Sequence, residues 1–252
     1  MKTTFRILGL FLALSGLTTG LMAQAASAGR YDKTIQTKVD QQLAAKDEFR
    51  SVQATVEYGI VTLTGSVDLY QQKLDAAKKV RKTAEVQGVR NLIAVEGKRV
   101  SDADLAAQLD RKLYYDRVGY DVAFNYITAE VESGTVTLSG EARTEIARDS
   151  AVALANRMAG VKDVVNDIKV APASIFDDQI RIKTLQAIYR DPVLDHYAID
   201  PARPIRIVVD NGHVSLYGVV ASQMDKQVAG IRASQVFGAF SVQNNLEVAK
   251  KS

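Results

Sequence analysis

Two histidines, His196 and His213, are the only imidazoles in this chain of 252 residues, and it contains no cysteine. Without thiols there is no disulfide, thiolate metal centre, cysteine nucleophile or lipid-modified N-terminal cysteine. A metal site would need both histidines joined by carboxylates, whereas isolated surface histidines are the commoner arrangement. The neighbours Asp177 and Asp178 could be imagined as an acid pair, but at a predicted helix start they read as capping carboxylates. No Gly-x-Ser-x-Gly, phosphate loop or dinucleotide fingerprint occurs. What remains is surface chemistry. Lys78, Arg81 and Lys82 fall on neighbouring outward positions of a predicted helix that also carries Lys73 and Lys79. They could dock anionic lipid headgroups, each cation contributing up to about 1 kcal/mol. The plainer reading is a solvated helix face, because no exposed apolar anchor is evident beside them. Tyr114, Tyr115, Tyr120, Phe124 and Tyr126 crowd another stretch. They read either as a contact patch for peptide or lipid, or as packing that buries ring bodies and leaves hydroxyls wet.

The elements that must hold these residues are written three times. Gly134-Thr135-Val136-Thr137-Leu138-Ser139-Gly140 has close copies from Gly59 to Gly65 and from Gly212 to Gly218. The alternation of large apolar and small polar residues has the period of a half-buried strand. Tyr58, Ser133 and Asn211 precede the first glycines, so each copy reads as the second strand of a hairpin. An Asn follows the second glycine by 26 positions every time, at Asn91, Asn166 and Asn244. Each opens a third strand, with Ile93 and Val95, Ile168 and Val170, or Leu246 and Val248 on one face.

Between hairpin and third strand the spacing turns helical. Ala76, Ala77, Val80 and Ala84 share a face, as do Ala151, Val152, Ala155 and Ala159, then Ala229, Gly230, Ala233 and Phe237. Gly160 and Gly238 stand where a left-handed residue would stop the helix, and Glu85 takes that place in the first copy, which implies a different stop. Ahead of each hairpin, Ile35, Val39 and Leu43, then Leu105, Leu109 and Leu113, then Ile180, Thr184 and Ile188 mark another helix face. Asp32, Asp102 or Asp104, and Asp177 or Asp178 sit at its beginning and read as caps or first-turn acids. The loop that follows varies, and its longest version contains Pro201 and Pro204. Strands joined through a helix run parallel and those joined by a tight turn antiparallel. The predicted class is therefore α+β: three tandem αββαβ units, each a three-stranded mixed sheet with two helices packed on one face. Units of about 65 to 75 residues without disulfides have marginal cores, so neighbours are expected to dock.

The N-terminus differs in kind. Lys2 and Arg6 precede an apolar run from Ile7 to Met22, followed by Ala23-Gln24-Ala25 and Ala26-Ser27-Ala28. This is the order of a secretory signal peptide over 1–28. Its removal takes the formal charge from +3 to +1, which leaves no general field to attract nucleic acid.

The assembled pattern is a helix, the Gly-x-Val-(Thr/Ser)-Leu-x-Gly hairpin, an Ala-rich helix and Val-x-Asn-x-Ile-x-Val. It resembles the BON domain, and the resemblance covers 32–97, 101–171 and 177–249. Val164-Val165-Asn166-Asp167-Ile168-Lys169-Val170 and Val89-Arg90-Asn91-Leu92-Ile93-Ala94-Val95 carry its last part. The resemblance implies an αββαβ fold and a non-enzymatic envelope role in the periplasm under osmotic stress. It also implies contact with anionic phospholipid or envelope proteins, no cofactor and no catalytic residues. The alternative is a periplasmic chaperone for unfolded outer-membrane clients. Lys78, Arg81 and Lys82 are the candidate lipid contacts, and Gly59, Gly65, Gly134, Gly140, Gly212 and Gly218 are structural hairpin residues. Departures from the pattern are Glu85 in place of Gly, Ala239 in place of Val, and the proline-containing insertion.

Overall fold

The structure is a computed structural model that describes residues 29–115, 122–200 and 204–250. The signal segment 1–28 lies outside the described residues. Three helices carry the predicted apolar faces: α1 (Asp32–Ala44), α3 (Asp102–Tyr115) and α5 (Ile175–Tyr189). Three shorter ones bridge hairpin and third strand: α2 (Tyr70–Arg81), α4 (Glu145–Asn156) and α6 (Gln223–Ser234). The hairpins are β1 (Val52–Glu57) with β2 (Ile60–Val67), β5 (Tyr126–Glu132) with β6 (Thr135–Ala142), and β8 (Arg206–Asp210) with β9 (His213–Tyr217). The remaining strands are β3 (Gly88–Asn91), β4 (Ala94–Val95), β7 (Asp163–Val170), β10 (Val219–Val220), β11 (Ser241–Asn244) and β12 (Glu247–Val248). The fold is mixed α+β with several small mixed sheets. Among the described residues no helix is long and apolar enough to cross a membrane.

The glycine-flanked strand takes the centre of each sheet. β2, β6 and β9 run antiparallel to the strand before them and parallel to β3, β7 and β11 across the helix. The central place follows from sequence: Val61 and Leu63, Val136 and Leu138, Val214 and Leu216 are all fully or almost fully buried. Against Val136 and Leu138 lie Leu105, Leu109 and Leu113 of α3 and Ala147, Ala151 and Ala155 of α4, in one cluster. Both helices therefore cover the same sheet face, and alanine lets α4 approach it closely. The third copy repeats the arrangement, with Ile180 and Ile188 from α5 and Ala229 and Ala233 from α6 around Leu216.

The third strand departs from expectation. β7 pairs along all of β6, but its counterparts break in two. The first sheet consequently has four strands, and in the third copy β12 pairs with β10 as a separate ladder. The broken copies are those whose Asn amide is tethered to a helix: Asn91 donates to the Lys73 carbonyl at 2.8 Å and Asn244 to the Lys226 carbonyl at 2.6 Å. In both copies the break falls directly after the tethered Asn.

The aspartates at the helix starts do something other than capping. Asp32 accepts from the amides of Tyr58 and Gly59 at 2.9 and 2.8 Å, Asp102 from Ser133 and Gly134 at 2.7 and 2.9 Å, and Asp177 from Asn211 and Gly212 at 3.1 and 2.8 Å. Each clamps a hairpin turn whose two central residues have positive φ, the signature of the two-residue turn that matches strand twist. A non-glycine residue there costs about 1 to 2 kcal/mol, and hydrogen bonds to a charged acceptor offset it. Capping falls to hydroxyls: Thr144, Ser174 and Ser222 accept amides of α4, α5 and α6. Asp104, in the first turn of α3, exchanges hydrogen bonds with Ser101 instead.

Two helix-end expectations are corrected. Helices α2, α4 and α6 stop before the fourth predicted stripe position, so Ala84, Ala159 and Phe237 are exposed while Thr83, Met158 and Val236 are buried in their stead. Gly160 and Gly238 then serve as the left-handed third residue of a turn after the helix, and Glu85 makes the same turn with φ 69°. The first copy thus uses the same device at a strained residue. Glu85→Gly is expected to stabilise the protein by about 1 kcal/mol, read from the urea midpoint of the first copy's unfolding.

Candidate functional site

Residues with chemical potential are mostly engaged in holding the fold. Asp177 clamps its hairpin, and Asp178 instead pairs with Arg143 at 3.1 Å and with Arg181 at 2.8 Å. Adjacent in sequence, the two carboxylates serve separate partners. The nearer histidine to a hairpin turn, His213, has its Nδ1 2.7 Å from the Ser241 hydroxyl, and the His196 ring lies 3.9 Å from that of Tyr197. Among the described residues no group of three His, Asp or Glu side chains could hold a metal ion.

The aromatic cluster sits where the second and third copies meet, except for Tyr120, which lies outside the described residues. Phe124 packs against the core of the third copy. Tyr126 stacks on Tyr217 with centroids 4.0 Å apart and planes 7° from parallel. Tyr114 donates to Asp200 at 3.0 Å and meets Tyr115 edge-on. Arg143 adds an ion pair to Asp178 across the same junction. These two copies dock, as their small cores require. The hydrogen bond from Arg143, reinforced by Arg181, holds the Asp178 carboxyl below its ordinary value. A depressed folded pKa contributes stability above the unfolded value of about 3.9 and loses it as pH falls through the folded one. Asp178→Asn is therefore expected to narrow the difference in urea midpoint between neutral pH and pH of about 3.

The predicted lipid contacts lie together at a helix end. Lys78 and Arg81 occupy the last turn of α2 and Lys82 follows it, all exposed. There they complement the helix dipole. An exposed apolar cluster lies elsewhere. In the third copy Phe176, Phe237 and Phe240 are 78%, 89% and 81% exposed. They surround a cleft of about 650 Å³ floored by Ile180 and Gly212. Phe176 stands in the first turn of α5, Phe237 lies within the turn after α6 and Phe240 just past it. Lys183 reaches over it, its Nζ 5.8 Å from the Phe237 ring centroid. The signal for this site lay in comparing copies: Phe237 stands where the others have Ala84 and Ala159, and Phe240 where they have Gln87 and Lys162. Large aromatic residues at positions that are small or polar in the sibling copies are not needed for the fold.

The profile of the BON domain matches residues 31–97, 101–172 and 177–250. The chain belongs to the BON domain family. Each glycine hairpin with its clamping Asp thus recurs once per BON match. Two relatives resemble part of the chain. One is osmotically-inducible protein Y of Escherichia coli K12, 27% identical over 147 residues, which are 55% of this chain and 72% of that protein. The other is a protein of Anaplasma centrale described as an uncharacterized protein in the gshII 5′ region, 28% identical over 145 residues, 55% of this chain and 94% of that one. The C-terminal domain of CdsD, a structural protein of the type III secretion system of Chlamydia trachomatis, overlays 85% of this chain and 96% of its own at 14% identity, with a TM-score of 0.25. A score that low carries no argument. Phe237 and Phe240 of the cleft lie in the third BON match, and Phe176 directly precedes it.

Proposed function

We propose that the chain is three copies of one αββαβ unit, exported to the periplasm, that work without bond chemistry as an envelope-associated binding module in osmotic stress. Its seat for phospholipid is the phenylalanine cleft of the third BON unit. The osmotic and envelope reading draws on the likeness to osmotically-inducible protein Y. The observation that carries the lipid reading is the cleft itself: three phenylalanines, each more than three-quarters exposed, around a single opening with a cation at its edge. Exposed apolar groups on soluble domains are normally scattered, and a cluster marks an interaction surface. Aromatic rings beside a lysine suit the headgroup boundary, where rings enter the apolar layer and the ammonium stays with phosphate.

Lys78, Arg81 and Lys82 have an auxiliary part in this proposal. Their charge adds attraction to an anionic surface that decays within about 8 Å at physiological salt, and it supplies no anchor. Co-sedimentation of the mature protein with vesicles, with and without anionic lipid, tests the function. Pelleting that depends on anionic lipid is the expected result. Absence of pelleting together with suppressed aggregation of an unfolded outer-membrane protein would favour the chaperone alternative.

A further inference from the structure

A second cavity, of about 420 Å³, opens where the second and third BON units meet, and its chemistry differs from that of the phenylalanine cleft. Leu113, Val122 and Val219 form apolar wall, and Tyr114, Tyr126 and Arg206 supply the polar part. Arg206 begins β8 opposite Tyr217 and is only 7% exposed. Its Nη1 has no hydrogen-bond partner. The Tyr114 ring covers the guanidinium at 4.9 Å, so one face of the cation is satisfied while its Nη1 is not. Asp200 acts on Arg206 through space but accepts the Tyr114 hydroxyl. Burial pulls the Arg206 pKa down, yet a guanidinium stays protonated in proteins. The junction therefore encloses a fixed cation with an unpartnered Nη1 beside a cavity, an arrangement that is costly until an acceptor arrives.

We propose that this cavity binds a small organic carboxylate. The carboxylate pairs with the guanidinium edge of Arg206, which is shaped to take two oxygens at once. Its apolar body lies against Leu113, Val122 and Val219. The carboxylates of Asp110 on the cavity lining and Asp200 nearby oppose any anion, and a dianion such as phosphate about twice as strongly as a monocarboxylate whose apolar body has the wall to lie on. The site is independent of the lipid reading, because it uses none of the cleft residues.

The test titrates the full chain with phenylpropionate, with phenylpropanol as the neutral probe of the same skeleton, and with inorganic phosphate, following the backbone amide resonances of Arg206, Val219 and Tyr126. Phenylpropionate is expected to shift them saturably at millimolar concentration, with phenylpropanol and phosphate at least about tenfold weaker. Arg206→Met is expected to remove the shifts and Arg206→Lys to leave weaker ones. Thermal unfolding verifies that both variants fold, and replacing a poorly paired buried charge by an apolar side chain is often neutral or stabilising. Equal binding of the alcohol, tighter binding of phosphate, undiminished binding by Arg206→Met, or no saturable shift with phenylpropionate would each overturn the assignment.

Discussion

Gly140→Ala is expected to destabilise the second BON unit by about 3 to 5 kcal/mol, beyond the range of an ordinary surface substitution. Gly140 has φ +107°, a conformation that L side chains rarely adopt, and an added Cβ would stand 2.1 Å from the Tyr126 carbonyl oxygen. The two nearest atoms, the oxygen and the Tyr126 carbonyl carbon at 3.1 Å, are backbone of the paired strand. Neither can swing aside as a side chain would, so relief requires opening the β5–β6 ladder. The second glycines of the other copies meet the same obstacle, with Ser51 oxygen 1.9 Å from a Cβ on Gly65 and Pro204 oxygen 2.0 Å from one on Gly218. Gly88 is the control: its added Cβ would lie 3.9 Å from Ile60 Cγ1 in ordinary contact, and Gly88→Ala should change stability by no more than about 0.5 kcal/mol. Urea unfolding followed by circular dichroism measures both. A Gly140→Ala protein as stable as Gly88→Ala would show that close strand approach is not what fixes this glycine.

The largest functional effect is expected from the double substitution Phe237→Ser with Phe240→Ser. Burying a phenylalanine side chain is worth about 1.5 to 3 kcal/mol, so removing two anchors should cost about 3 kcal/mol of vesicle affinity, near a hundredfold. Both rings are exposed before binding, and their loss should leave the urea midpoint almost unchanged. Reversing Lys78, Arg81 and Lys82 together to Glu removes screened surface attraction instead. Its effect should be about tenfold or less and should fade as salt is raised. Vesicle binding by both variants at low and high ionic strength separates the two contributions. Loss of binding in the charge-reversed protein with full binding by the phenylalanine variant would reverse the assignment. Unchanged binding by the charge-reversed protein would remove the basic residues from the proposal.

Much of the fold was legible because it is written as burial periodicity. Val136 and Leu138 alternate along a central strand, and Leu105, Leu109 and Leu113 recur at helical spacing; each of these residues is buried. The Gly pairs announced the hairpins, and helix crossovers implied the parallel pairing. What stayed hidden depends on distant partners. Asp102 resembles a helix cap in sequence, but its acceptor role is directed at a turn 31 and 32 residues away. The left-handed Glu85 carries no sequence mark, since only its alignment with Gly160 and Gly238 betrays the turn. Phe237 was assigned to the buried stripe because four-residue spacing was carried past Ser234, where α6 ends. Helical spacing alone thus makes Phe237 look like core, although it is 89% exposed. The tyrosine crowd was legible as packing or contact material, whereas its partners Asp200, Arg206 and Tyr217 follow from the docking of two copies.

The central claim is that the third BON unit enters a lipid surface through its exposed phenylalanines while the repeated residues maintain the fold. The chain contains no tryptophan, so Phe240→Trp installs a single reporter at the cleft. On addition of anionic vesicles its emission should shift to shorter wavelength and be quenched by brominated acyl chains. Protein that pellets with the vesicles while this tryptophan keeps the emission of a water-exposed indole would contradict the account.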